Sequence, residues 1–139
     1  TVMSSEREEG TALQLDFDKL EKASAAARGI LPVAVQHADT HELILVAYAN
    51  REALEHAIKT GNATFWSTSR AELWEKGATS GETFELLEIR VNCEQNSLLY
   101  RVRPRRGNIC HTKNRAGEPR NCYYRRLNLE TMDLEFIDP

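Results

Sequence analysis

Cysteine is scarce and odd in number here: three residues in a chain of 139 cannot pair off into a disulfide framework. Long apolar runs are absent too, and none approaches the roughly 20 residues that a membrane span needs. The first ten residues, Thr1 to Gly10, contain no apolar stretch of the signal-peptide kind. The basic residues lack interleaved aromatics apart from Tyr100, Tyr123 and Tyr124, unlike a surface that stacks on nucleic acid. The expectation is a cytoplasmic protein whose partners include neither membrane nor nucleic acid.

The apolar content of 41% and charged content of 28% are ordinary for a globular protein, and the length suits one domain with a real core. The net charge of −3 conceals an asymmetry. Residues 1–99 carry 9 Lys/Arg against 16 Asp/Glu, whereas residues 100–139 carry 9 against 5. A basic segment beside thiols attracts anions, of which phosphate is the common biological case, although a solvated basic loop has the same composition.

Residues 1–14 read as a flexible tail and residues 15–139 as the domain. Leu15, Phe17, Leu20, Ala23 and Ala27 suit a short amphipathic helix that stops at Gly29. Val33–His37 and Leu43–Tyr48 read as two strands of a hairpin. Asn50 is a good N-cap for a helix over Arg51–Thr60, with Gly61 at its C-cap. Further strands are expected at Ala63–Trp66, Phe84–Cys93 and Ser97–Arg103, with a return near Cys122–Leu127. Ser69 and Glu72 fit a capping box for a helical turn over Arg70–Glu75. Residues 104–121 read as a long loop, and loops of that length are commonly functional. The count is about six strands and two or three short helices: a β-rich α+β domain.

Cys93, Cys110 and Cys122, with His111 beside the second, form the one cluster suited to a transition metal. Zinc takes thiolate and imidazole ligands, and three protein ligands with an open fourth position mark a catalytic site. There the metal lowers the pKa of water towards 7. No close CxxC pair occurs, so the fold must gather the ligands. His111 suits either a fourth ligand or a proton shuttle, and spacing does not choose between them. Among the other histidines, His37 ends a strand and is kept as a cleft residue, whereas His41 and His56 read as solvated. Trp66 reads as core. Trp74, beside Lys76 and a glycine-bounded loop, is placed to stack on a base, with Arg70 or Lys76 on a phosphate.

Several segments together are similar to the phosphoribosyl-AMP cyclohydrolase family. They are Leu31–Gln36, Leu43–Tyr48, Asn50–Leu54, Thr60-Gly61, Phe65–Arg70, Leu73–Gly77, Thr79-Ser80-Gly81, Cys110-His111-Thr112 and Cys122-Tyr123. The resemblance implies an intertwined homodimer with active sites at the subunit interface. It implies hydrolysis of the adenine ring of N1-(5-phosphoribosyl)-AMP between N1 and C6, a step of histidine biosynthesis. Zinc ligands carry over to Cys93, Cys110 and Cys122, contributed across the dimer, and His111 becomes the candidate for proton transfer. Arg70, Trp74, Lys76, Ser80 and Gly81 become candidate substrate contacts, with some of the late arginines on the two phosphates.

The chain departs from the family pattern around the first cysteine. The family places aspartates that bind magnesium at the positions of Asn92, Glu94 and Asn96. One formal negative charge remains of three, which counts against strong protein-bound magnesium. Gln36-His37 replaces Gln-Asp, Ala78 replaces a glutamate, and about five extra residues lie between Cys110 and Cys122. Two further readings therefore stand beside the cyclohydrolase. One is a paralogue acting on another purine-like or N-heterocyclic substrate, and the other a non-catalytic zinc protein that binds nucleotides.

Overall fold

A computed structural model describes residues 7–15, 17, 29–77, 81–105, 113–118 and 120–139. The helix expected over residues 15–28 falls almost wholly outside these residues, as do Ser80, Cys110 and His111.

The centre of the molecule is a four-stranded mixed sheet. Strands β1 (Leu31–His37) and β2 (Leu43–Ala49) form the expected antiparallel hairpin. Strands β5 (Phe84–Val91) and β6 (Leu98–Pro104) form a second hairpin, and β6 lies parallel to β1, giving the order β2-β1-β6-β5. A parallel pair needs a crossover. The crossover consists of helix α1 (Arg51–Thr60) and the two-stranded sheet of β3 (Thr64–Ser67) and β4 (Glu72–Glu75). A third small sheet pairs β7 (Arg125–Leu127) with β8 (Leu134–Phe136).

The sequence explains the inner layer. Val33 and Val35 alternate along β1, and Leu98, Tyr100 and Val102 alternate along β6, so each strand turns one face inward. Helix α1 contributes Ala53 and Ala57, both fully buried, and packs on β3 and β4, where Phe65 closes the core. Ile58 on the same helix is exposed. The helix ends match expectation. The Asn50 side chain accepts from the Ala53 N–H at 2.8 Å, and Gly61 takes the left-handed conformation at φ 74°.

One local expectation fails. Glu72–Glu75 is strand β4, not part of a helical turn over Arg70–Glu75. The Ser67 hydroxyl, not Ser69, accepts the Arg70 N–H at 3.3 Å, and Ala71 turns the chain at φ 51°. Cross-strand pairing of Phe65 with Trp74 and of Trp66 with Leu73 then outweighs the four-residue capping signal. The strand near Cys122 is also shorter than expected, beginning at Arg125, and β8 was not anticipated.

Residues 8–11, within the segment read as a tail, meet the C-terminal part of the chain. The Tyr124 hydroxyl donates to the Glu8 carbonyl at 2.6 Å, Arg125 donates to the Gly10 carbonyl at 2.8 Å, and the Leu134 N–H donates to Thr11 at 2.8 Å.

Candidate active site

Two separate regions carry the candidate residues. The first is a cleft of about 320 Å³ between β2 and the β3–β4 hairpin. Tyr48, Trp66 and Trp74 give it aromatic walls, and Ser67, Thr68, Ser69, Arg70 and Glu72 give it a polar rim. The hairpin register sets this up, because Trp74 pairs with Phe65 and their rings lie 5.4 Å apart. One side of Trp74 is thereby fixed on the core while the residue remains 41% exposed. The indole N–H of Trp66 is shielded from solvent and has no acceptor among the described residues. A buried donor in that state costs about 1–3 kcal/mol.

Arg70 and Trp74 both line this cleft. Lys76 is not among its lining residues, and its ammonium lies over the Phe84 ring at 5.3 Å from the centroid. Gly81 closes the neighbouring loop by donating its N–H to the Gly77 carbonyl at 2.7 Å. Sequence reasoning missed Tyr48 and assigned Trp66 to the core. The strand that reaches Tyr48 was legible, but the facing hairpin that turns it into a wall was not.

The second region is the thiols. Cys93 sits in the turn joining β5 to β6 and is exposed. The Asn92 carboxamide oxygen accepts the N–H groups of Asn96 at 3.0 Å and Ser97 at 2.9 Å, while its nitrogen donates to the Asn96 side-chain oxygen at 2.6 Å. Glu94 is exposed in the same turn. Cys122 is also exposed, between anchored neighbours. Asn121 donates to the Leu43 carbonyl at 2.6 Å and to Glu42 at 2.8 Å. Arg120 is buried, bonded to Glu9 at 2.6 Å and to the Asp138 carbonyl at 3.1 Å, with its guanidinium 3.6 Å from the Tyr124 ring centroid. Burial first, and then negative charge on Cys122, push the Tyr123 hydroxyl up from its ordinary range.

These two thiols are held at opposite ends of the central sheet. Val33 at the start of β1 faces Leu98, just beyond the Cys93 turn. Leu43, which binds Asn121, faces Gln36 near the other end of β1. Three residues along the strands and two strands across put Leu43 roughly 14 Å from Leu98. Among the described residues, no group of three His, Cys, Asp or Glu side chains is disposed to hold a metal.

Other expected contacts are already engaged. The His37 Nδ1 accepts the Asp39 N–H at 3.1 Å, which commits it to the β1–β2 turn. Arg101 bonds Gln36, Glu88 and the Ala38 carbonyl, Arg103 grips Asp39 with two bonds of 2.7 and 2.8 Å, and Arg105 bonds Asn62. The Arg103 hydrogen bond holds the Asp39 carboxyl below its usual range.

An aromatic-walled cleft with a polar rim that holds Arg70 and Glu72, on a β-rich α+β domain that presents exposed thiols, has the form of a small-molecule site. The comparisons with known proteins show the family. Residues 45–124 match the phosphoribosyl-AMP cyclohydrolase family. The chain is 46% identical over 114 residues to the phosphoribosyl-AMP cyclohydrolase of Cenarchaeum symbiosum, covering 82% of this chain and 94% of that one. It is 43% identical over 115 residues to the enzyme of the same name from Archaeoglobus fulgidus, covering 83% and 94%. It also matches the histidine biosynthesis bifunctional protein HisIE of Thermus thermophilus at 46% over 110 residues, spanning 79% of this chain and 49% of that longer protein. The chain belongs to the phosphoribosyl-AMP cyclohydrolase family.

Proposed function

We propose that the protein is a hydrolase of histidine biosynthesis that opens the adenine ring of N1-(5-phosphoribosyl)-AMP between N1 and C6, working as a homodimer. Family membership across nearly the full length of its relatives supports the reaction. The observation that carries the reading of the site is the spacing of the strand ends that anchor Cys93 and Cys122. Two sulfurs on one tetrahedral zinc lie about 4 Å apart, far less than the roughly 14 Å between the strands that anchor these cysteines. A centre using both therefore takes one from each of two chains, with Cys110 as the third ligand.

Three thiolates are a donor set that zinc accepts. Zinc bound there lowers the pKa of water and so supplies a nucleophile at neutral pH. The chain's own residues do the rest. Trp74 and Trp66 wall the adenine, Arg70 takes a phosphate, and the Trp66 N–H gains an acceptor from the ligand. Lys76, Ser80 and Gly81 are assigned to the ligand's second phosphate. His111 protonates the departing ring nitrogen.

Zinc-loaded protein incubated with phosphoribosyl-AMP, followed by ultraviolet absorbance, tests the activity. Ring opening is expected, and no reaction with or without magnesium rules it out. Mixing Cys93→Ala chains with Cys122→Ala chains tests the shared site. One intact site in each mixed dimer restores roughly a quarter of wild-type turnover, whereas a site built within one chain gives none. A second reading, a paralogue for another N-heterocycle, rests on the altered turn at Asn92 and Asn96. It predicts turnover of a related ring and none of phosphoribosyl-AMP.

A further inference from the structure

We infer that the turn presenting Cys93 is closed by a pair of side-chain amides, Asn92 and Asn96, in the place of a divalent cation, so its shape does not depend on magnesium. Three observations carry this. First, the Asn92 oxygen already accepts two backbone N–H groups, from Asn96 and Ser97. Those donors fix which end of the amide is oxygen, leaving the nitrogen to face Asn96. Second, the Asn92 nitrogen donates to the Asn96 oxygen at 2.6 Å, so both side-chain oxygens that a cation would require already accept hydrogen bonds. Third, Glu94 is the one carboxylate in residues 92–97, and magnesium demands near-ideal octahedral oxygen ligation. Gln95, in the left-handed region at φ 55°, donates its N–H to the Asn92 carbonyl at 3.0 Å and completes the turn without a metal.

The pair has a specific chemical asymmetry. With one asparagine replaced by aspartate, the remaining amide can turn its nitrogen towards the new carboxylate, and the bond survives. With both replaced, two carboxylates face each other oxygen to oxygen, and only a bound cation relieves the repulsion. The family reading enters only in the choice of magnesium as probe, and the readout is thermal unfolding and binding heat, so loss of catalytic activity does not affect it.

The test melts the full-length protein in excess magnesium chloride or in sodium chloride of matched ionic strength, with magnesium titrations by calorimetry. The wild type is expected to give no binding heat and no magnesium-dependent shift, and Asn92→Asp to behave like it. The double variant Asn92→Asp/Asn96→Asp is expected to melt about 3–6 °C lower without magnesium and to recover with it. Should the double variant fail to fold, Asn92→Ala serves, with a lower melting temperature that magnesium does not restore. Saturable magnesium binding to the wild type that Glu94→Gln abolishes overturns the inference. So does an Asn92→Ala variant as stable as the wild type, or a double variant indifferent to magnesium.

Discussion

The aromatic cleft and the thiol region differ in how closely one chain brings their described residues together. The cleft is finished within a single chain, because hairpin β3–β4 and strand β2 are local neighbours and the Phe65–Trp74 pair fixes its wall. The two described thiols, Cys93 and Cys122, are anchored at opposite ends of β1. Cys93 rides on an amide-locked turn, and Cys122 sits between residues tied to β2 and to the N-terminal segment. On the proposed reading, substrate shape is read by a monomeric feature, while the chemistry waits on assembly.

The comparison can be broken most severely at the thiols. Cys93→Ala should abolish turnover while leaving the fold intact, since the residue is exposed; circular dichroism and zinc analysis check both halves. Gly77→Ala should come next and should damage the cleft side. An added Cβ would fall 2.1 Å from the Glu82 carbonyl carbon, at a backbone φ of 78°. A destabilisation of about 2–3 kcal/mol in urea unfolding is expected. Trp74→Ala should raise KM roughly tenfold through lost stacking, with kcat less affected, and without loss of zinc. That split separates the two regions in one variant.

The smallest effect lies in the core that both regions share. Burial pushes the Tyr100 hydroxyl up to about 12. The folded state therefore holds this proton more tightly than the unfolded chain, whose tyrosine titrates near 10. The associated stability is complete below about pH 10 and is lost as pH rises towards 12. Tyr100→Phe should flatten that alkaline decline in a melting-temperature profile, at a small cost from the 3.4 Å bond to the Thr64 carbonyl.

Much of the scaffold was legible because its signals are local. Asn50 and Gly61 delimit α1 through groups a few residues apart, and alternating Val33 and Val35 mark β1 by period alone. The error at Arg70–Glu75 came from the same locality: Ser69 and Glu72 carry a genuine helix signal, and the partners that overrule it, Phe65 and Trp66, lie on another strand. Strand β8 went unnoticed because three residues give no periodicity to read. At the candidate site, Arg70 and Trp74 were chosen by chemistry and neighbours, and both line the cleft; Tyr48 was not chosen, since only packing brings β2 against the β3–β4 hairpin.

By itself the sequence determined the residue types. Three thiols suit one kind of metal, Trp74 suits a planar ring, and the carboxylates are thinned to amides around Cys93. Ligand chemistry and strand period are properties of residues and short spacings, so they survive without coordinates. Tertiary structure alone decided distance. It set Cys93 and Cys122 at opposite ends of β1, turned the Asn92 and Asn96 amides upon each other, and committed Arg101, Arg103 and Arg105 to partners in their own chain. Which groups meet depends on sheet order and register between strands far apart in the chain, and nothing in a linear spacing encodes that.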